Sequence, residues 1–315
     1  MHPAFSVIFF TTASGAGYGL LAWLGILAGL GYLPGERGFG LTALLLALGA
    51  ATLGLLSSTF HLGHPERAWR AFSQWRSSWL SREGVAAVAT YVPALAFALG
   101  WIGFGSTTGV WAIFGYASAA AAIVTIGCTA FIYQSLKPIQ RWSNGWVLPN
   151  YLALAAMTGA LWLLALCLAF GAGNSVVLIG AVAATAIAAM LKLAYWRYID
   201  TSASRSTAGS ATGLGALGRV RLFEAPHTSD NYLMKEMGYR VARKHAAKLR
   251  LIALAGGFAL PFALALGTLV LTTVPAAIAA GAGAVLATAG VLIERWLFFA
   301  EAKHTVTLYY GAERA

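Results

Sequence analysis

Between Thr59 and Gly84 the chain reads TFHLGHPERAWRAFSQWRSSWLSREG, and here residues able to move protons and hold anions crowd together. His61 closes one long apolar stretch and Glu83 opens the next. Arg67, Arg70, Arg76 and Arg82 alternate between them with the indoles Trp69, Trp75 and Trp79. An imidazole donates a hydrogen bond and titrates near neutral pH, and a carboxylate at a membrane surface can pass protons to water. A quinone site needs such groups: a donor to a carbonyl oxygen, groups that exchange two protons, and an apolar slot for ring and tail. Two plainer readings stand beside this one. Interfacial Trp and Arg commonly anchor helices at a membrane surface, and a histidine at a helix end can be a satisfied structural residue.

Other redox and catalytic chemistries find less support. A membrane b-type haem takes axial histidines from within spans. Of His2, His61, His64, His227, His245 and His304, only His61 approaches the end of an apolar stretch, so no haem is expected. The sequence holds no Walker loop, HExxH or Cys cluster, so no metal or nucleotide site is expected, and Cys128 and Cys167 read as small core residues. Electrons must then come from another subunit. Near the C-terminus, LIERWLFFAEAKH places Glu294 and Arg295 at the inner end of the last apolar stretch. An arginine there is costly unless paired. It either pairs with Glu294 or snorkels, or it faces the interior and supports the same site as His61. Lys192 is expected to snorkel, and Asn150 and Gln134 are polar helix-end residues without an assigned role.

The elements that must position these groups follow from composition. Of 315 residues 59% are apolar and 10% charged, and the mean hydropathy is +0.72, far too apolar for a soluble domain. Windows long enough to cross ~30 Å of hydrocarbon fall at 6–30, 39–61, 84–104, 110–136, 149–171, 174–197, 250–272 and 275–300. The expected fold is therefore an all-α integral membrane protein of eight transmembrane helices, arranged as two four-helix bundles in a single domain spanning 1–315. With eight spans, 20 of the 21 Lys and Arg residues fall on the N-terminal side and only Arg37 lies opposite. By the positive-inside rule both termini and every long loop are cytoplasmic, in a bacterial inner membrane. The opening MHPAFSVIFF lacks a basic n-region, so the first span is expected to be retained. The net charge of +11 orients helices and does not indicate nucleic acid. A secondary transporter is disfavoured because buried midplane charges and broken-helix pairs are not evident.

The sixth loop, 198–249, opens with TSASRSTAGSATGLGALG, which reads as flexible. It continues as RVRLFEAPHTSDNYLMKEMGYRVARKHAAKLR, where Ser229 or Asp230 is placed to cap a helix from about Asn231 into the seventh span. This part is either an amphipathic helix on anionic lipid or a docking surface for a cytoplasmic partner. The apolar Leu222, Phe223, Tyr232, Met234 and Met237 favour docking.

HLGHPERAWRAF followed by SWLSREG resembles the membrane-anchor subunits of the dimethyl sulfoxide reductase type, and the likeness extends to LIERWLFF. MHPAFSVIFFTT and LFEAPHTSDNYLMKEMGYRVARKHAAKLR are similar to the branch that serves cytoplasmic, quinone-linked sulfite dehydrogenases. The resemblance implies a complex with a molybdopterin catalytic subunit and an iron–sulfur subunit on the cytoplasmic face. In that complex this chain would pass electrons from sulfite to ubiquinone or menaquinone. It implies His61 as the quinone-site histidine, Glu83 as its acidic partner and Arg295 as the supporting arginine. Arg67, Trp69, Arg70, Trp79 and Arg82 complete the candidate site. His64 and the long basic sixth loop depart from the general reductase pattern. An anchor drawing electrons from quinol for a dimethyl sulfoxide, polysulfide or tetrathionate reductase is the alternative.

Overall fold

In hydrocarbon every backbone N–H and C=O must bond within its own segment, so long apolar stretches coil into helices. The structure is a computed structural model and describes residues 3–224, 226–229, 231–237 and 241–315. The side chains of His61 and of 241–244 lie outside the described residues, as do His2 and Asp230. Among the described residues eight helices are long and apolar enough to cross a membrane. They are built on α1 (Phe5–Gly29), α2 (Arg37–Ser57), α3 (Trp79–Ala98), α4 (Val110–Gln134), α5 (Val147–Ala169), α6 (Ser175–Thr201), α7 (Val241–Leu254), which crosses only together with the segments that follow it as the span His245–Gly267, and α8 (Thr273–Ala300). A 3-10 turn, Ser58–His61, prolongs α2, and a π turn, Leu99–Gly103, ends α3. After α7 a second π turn, Ala255–Ala259, leads into Leu260–Gly267. Pro261 lacks the N–H that would bond one turn back, and the backbone widens just before it.

Two spans begin five residues ahead of their expected starts, the third at Trp79 and the seventh at His245. Hydropathy marks where lipid begins, whereas a helix continues into the interface, here with Ser81 and Arg82 on the first turn of α3 and Glu83 just after it. The densest packing places α1 against α2, α4 and α5, α3 against α4, and α5 against α6 and α8. In α1 and α5 67% of the spanning window is buried, against at most 44% in the other six spans. These two helices touch backbone to backbone. A Cβ built on Gly159 would collide with the backbone of Gly19 and Leu20, the close approach that small residues permit between membrane helices. Gly159→Val is therefore expected to abolish the monodisperse peak in size-exclusion chromatography in mild detergent. Gly49→Ala, which meets nothing within 4 Å, leaves it intact.

At the end of the bundle bearing the long loops, Trp142 donates its indole N–H to the Phe298 carbonyl at 2.9 Å and stacks on the Phe298 ring. Tyr133, Tyr151 and Phe299 close the cluster. It fixes the last turns of α8, one turn beyond Arg295.

The Ser/Gly-rich start of the sixth loop is not the flexible segment expected. Thr207 and Ser210 form a reciprocal capping box at a short helix, Ala208–Thr212, and Thr207 pairs with Arg314 in an isolated antiparallel bridge. Residues near the C-terminus clasp the loop further. Tyr309 donates to the Ala211 carbonyl at 2.9 Å, Arg219 pairs with Glu313 at 2.5 Å, and Asn231 meets the Tyr310 hydroxyl at 2.9 Å. The Arg219 guanidinium holds the Glu313 carboxyl below its usual range, and partial burial lowers the His304 imidazole, whose Nδ1 accepts from the Val306 N–H. The expected helix from about Asn231 begins at Tyr232. Its cap is Asn231, whose Oδ1 accepts from the Met234 N–H at 2.9 Å.

Candidate functional site

Glu83, Ala87, Thr90, Ala94 and Phe97 are buried on α3 at spacings of three and four residues, which places them in one stripe. That stripe faces α4. The Thr90 and Thr125 hydroxyls meet at 3.1 Å, and one turn closer to the helix end Thr129 donates to the Glu83 carboxylate. Glu83 is only 5% exposed although it stands near the start of its helix. Its depth comes from its position on the stripe packed against α4, while the preceding segment folds back along the neighbouring side of α3. The 3-10 helix Pro65–Phe72 is fastened to α3 by Ser81, whose hydroxyl donates to the Ala71 carbonyl. Arg82 donates to the carbonyls of Trp75 at 2.9 Å and Arg76 at 2.7 Å, and lies 4.2 Å over the Trp79 ring. Trp79 in turn stacks on Phe131 of α4 at 4.5 Å.

Trp79 and Arg82 thus hold the loop that precedes α3. Arg67, Trp69 and Arg70 are exposed on its outer surface. Arg67 sits 3.6 Å from Glu66, and Arg70 lies 5.6 Å over Trp69. They form a rim and do not line the interior. His64 pairs with Glu66 at 3.0 Å, also in the open. His61 ends the 3-10 turn after α2, and the start of that turn is tied to α1 where Ser57 donates to the Ser6 carbonyl at 3.1 Å. How the His61 ring is directed lies outside the described residues.

Arg295 is 2% exposed and faces the interior of the bundle, 3.6 Å over the Tyr151 ring. The two readings of this residue therefore combine, since it also pairs with its neighbour Glu294 at 3.5 Å. Glu294 takes a second cation: Lys192 does not snorkel, but is 1% exposed and ion-paired with Glu294. Its ammonium lies over the rings of Tyr195 at 4.3 Å and Trp196 at 5.4 Å. Buried charges thus do occur in the spans, and for Lys192 this replaces the expected snorkelling. They sit in the halves of α3, α6 and α8 nearest the long loops. Closer to that surface, Arg250 bridges Asp200 at 2.6 Å and Glu301 at 2.9 Å.

Thr129, the partner of Glu83, and Arg295 line one small cavity between α1, α4, α5 and α8, together with Thr12, Tyr18 and Tyr151. Its volume of about 10 Å³ admits a water and excludes a quinone ring. A larger groove of about 600 Å³ opens on the lipid-facing side and is walled by Phe5, Ile8, Phe9, Leu249, Leu292, Ile293 and Trp296. It borders the first turns of α1, the helix to which the His61 turn is tied. The hydroxyls of Thr12, Tyr18, Thr129 and Tyr151 and the Lys192–Glu294 pair are not singled out by the sequence. A signal is present in Thr125 and Thr129, two hydroxyls four residues apart in an apolar span. Nothing local identifies Lys192 as the partner of Glu294.

Eight helices able to cross a membrane, with a carboxylate buried near one end of the bundle, define a multi-span integral membrane protein. The chain belongs to the DMSO reductase anchor subunit (DmsC) family, whose pattern matches residues 1–311. It is also similar to a sulfite dehydrogenase subunit of Allochromatium vinosum, with 34% identity over 332 aligned positions covering 98% of this chain and 99% of that protein.

Proposed function

We propose that the chain is the quinone-binding anchor of a sulfite dehydrogenase in a bacterial inner membrane. Both termini and the long loops would face the cytoplasm. Its partners are a molybdopterin subunit that oxidises sulfite and an iron–sulfur subunit that brings the electrons to this chain. The observation that carries this reading is the end-to-end similarity to a sulfite dehydrogenase subunit. The donor set agrees with it, because a histidine at the end of α2 and a buried carboxylate on α3 are the proton-exchanging groups a quinone needs.

The chain's own residues then divide the work. His61 donates a hydrogen bond to a quinone carbonyl, and Glu83 takes protons from the cytoplasmic side and delivers them to the site. Trp79 and Arg82 hold the loop before α3 in place, and Trp69 lies with Arg67 and Arg70 at its rim. The two arginines contribute positive potential there, and Arg295 contributes it from the interior. Ubiquinone or menaquinone would supply the redox chemistry. Proton uptake and electron delivery share one face, so turnover moves little net charge across the membrane.

The family match favours a second reading, in which the anchor takes electrons from quinol for a dimethyl sulfoxide, polysulfide or tetrathionate reductase. Affinity purification of the complex in mild detergent separates the two. Sulfite added to the pure complex is expected to reduce a soluble quinone analogue. If the copurifying molybdenum subunit is inert towards sulfite and instead oxidises quinol with one of those acceptors, the reductase reading replaces the first.

A further inference from the structure

The Thr129 hydroxyl has two acceptors within reach, the Glu83 carboxylate on α3 and the Thr125 carbonyl one turn back on its own helix, at 3.1 Å. A hydroxyl carries one proton and two lone pairs, so it can donate towards either oxygen and can also accept. Thr129 and Glu83 are both buried, and among the described residues no other side chain hydrogen-bonds the Glu83 carboxyl. The titratable groups that feel its charge are Tyr18 of α1, Cys128 and Tyr133 of α4 and Tyr151 of α5. Arg295 of α8 lies on the cavity that Thr129 also lines. Glu66, Arg67 and Arg70 of the 3-10 helix beside α3 are exposed, and Arg82 is turned to the carbonyls of Trp75 and Arg76. One turn deeper, the Thr90–Thr125 contact at 3.1 Å ties α3 to α4, which fixes the spacing at which Thr129 meets Glu83.

We propose that Thr129 is a positioning residue that holds the Glu83 carboxyl in one orientation in both of its protonation states. When Glu83 is ionised, Thr129 donates to it. When Glu83 has taken up a proton, its own O–H donates to the Thr129 oxygen, and the Thr129 proton swings to the Thr125 carbonyl. Thr129 keeps its proton throughout and neither supplies nor consumes one. The proton that Glu83 carries comes from the cytoplasmic side and leaves to the site, as in the proposed function. A buried carboxylate left without a donor is strongly penalised, and a carboxyl free to rotate loses the alignment that transfer requires. The exchange of partners stands on the two acceptors alone, whereas its use in turnover rests on the proposed role of Glu83.

Two substitutions separate hydrogen bonding from packing, since valine keeps the branched shape and loses the hydroxyl, whereas serine keeps the hydroxyl and loses a methyl. In the assembled complex Thr129→Val is expected to slow quinone reduction by about tenfold or more, the scale of one hydrogen bond to a charged group. Thr129→Ser should retain at least about half of the wild-type rate, because the donor remains. Sulfite-dependent dye reduction should stay unchanged in both. Thr129→Ala should match the valine variant and replaces it if that chain does not accumulate. A serine variant as slow as the valine one, or a valine or alanine variant at the wild-type rate, would overturn the role. Infrared difference spectroscopy of the purified full chain on acidification reads the bond without any quinone. The Glu83 carboxyl band, recognised because Glu83→Gln removes it, is expected to shift in Thr129→Val and to keep its place in Thr129→Ser. An unshifted band in the valine variant, or no Glu83 band in the wild type, would overturn the two-state partnership. A wild-type complex that never reduces quinone would instead count against the proposed function, with the infrared band still deciding the partnership.

Discussion

Glu83→Gln is expected to lower sulfite-supported quinone reduction by about 10²- to 10³-fold, within the range seen when a positioned acid–base group is lost. Reduction of a soluble dye that takes electrons directly from the iron–sulfur subunit should continue at the normal rate. The substitution isolates proton chemistry because glutamine has nearly the same volume and keeps an oxygen to accept from Thr129. What disappears is the ability to bind and release a proton. His61→Ala should give the same pattern, with weaker binding of quinone analogues as well. Stopped-flow assays on membrane vesicles, following quinone and dye separately, make the measurement. A Glu83→Gln complex that assembles normally and reduces quinone at the wild-type rate would remove Glu83 from the mechanism.

The second large effect concerns stability. Lys192, Glu294 and Arg295 are each at most 2% exposed, and the two cations share the one carboxylate. Removing one partner of a buried pair costs about 3–5 kcal/mol. Glu294→Ala sits at the upper end, since it leaves two like charges together without an anion. The variant is expected to fail to accumulate, or to unfold far below the wild type in a detergent thermal ramp. Lys192→Met should be milder, because Glu294 still neutralises Arg295 and the straight apolar side chain fills the space beside Tyr195 and Trp196. Combining Lys192→Met with Glu294→Gln should cost clearly less than the sum of the two changes, the mark of a direct interaction. Strict additivity would show that the pair is not coupled in the folded protein.

Much of the architecture is legible in the amino-acid order itself. The eight apolar windows depend only on composition, and each coincides with a helix to within a few residues. Glu83 and Arg295 stand out because a charge in an apolar stretch is expensive wherever it lies. Their surroundings stay hidden for the opposite reason. Thr129 and Tyr151 are ordinary residues in apolar helices, and they acquire a role only when α4 and α5 are brought beside α3 and α8. Lys192 misleads because a long cation near a helix end can reach the interface from a straight helix in isolation. Its burial is decided by Glu294, a residue of another span. The sixth loop misleads similarly. Ser and Gly suggest freedom locally, but Thr207, Ser210 and Arg219 are held by Arg314, Glu313 and neighbouring groups at the far end of the chain.

The union of Lys192 with Glu294 also has a consequence for how the protein is made. Synthesis runs from the N-terminus at about 5–20 residues per second, so the lysine of α6 emerges well before the carboxylate of α8 exists to receive it. During that interval α6 carries an unneutralised ammonium, and α1 presents Thr11, Thr12 and Tyr18 without the helix that later covers them. A nascent chain in this condition is a poor solute for lipid. The burial of Lys192 as an ion pair therefore cannot be completed until α8 has been made.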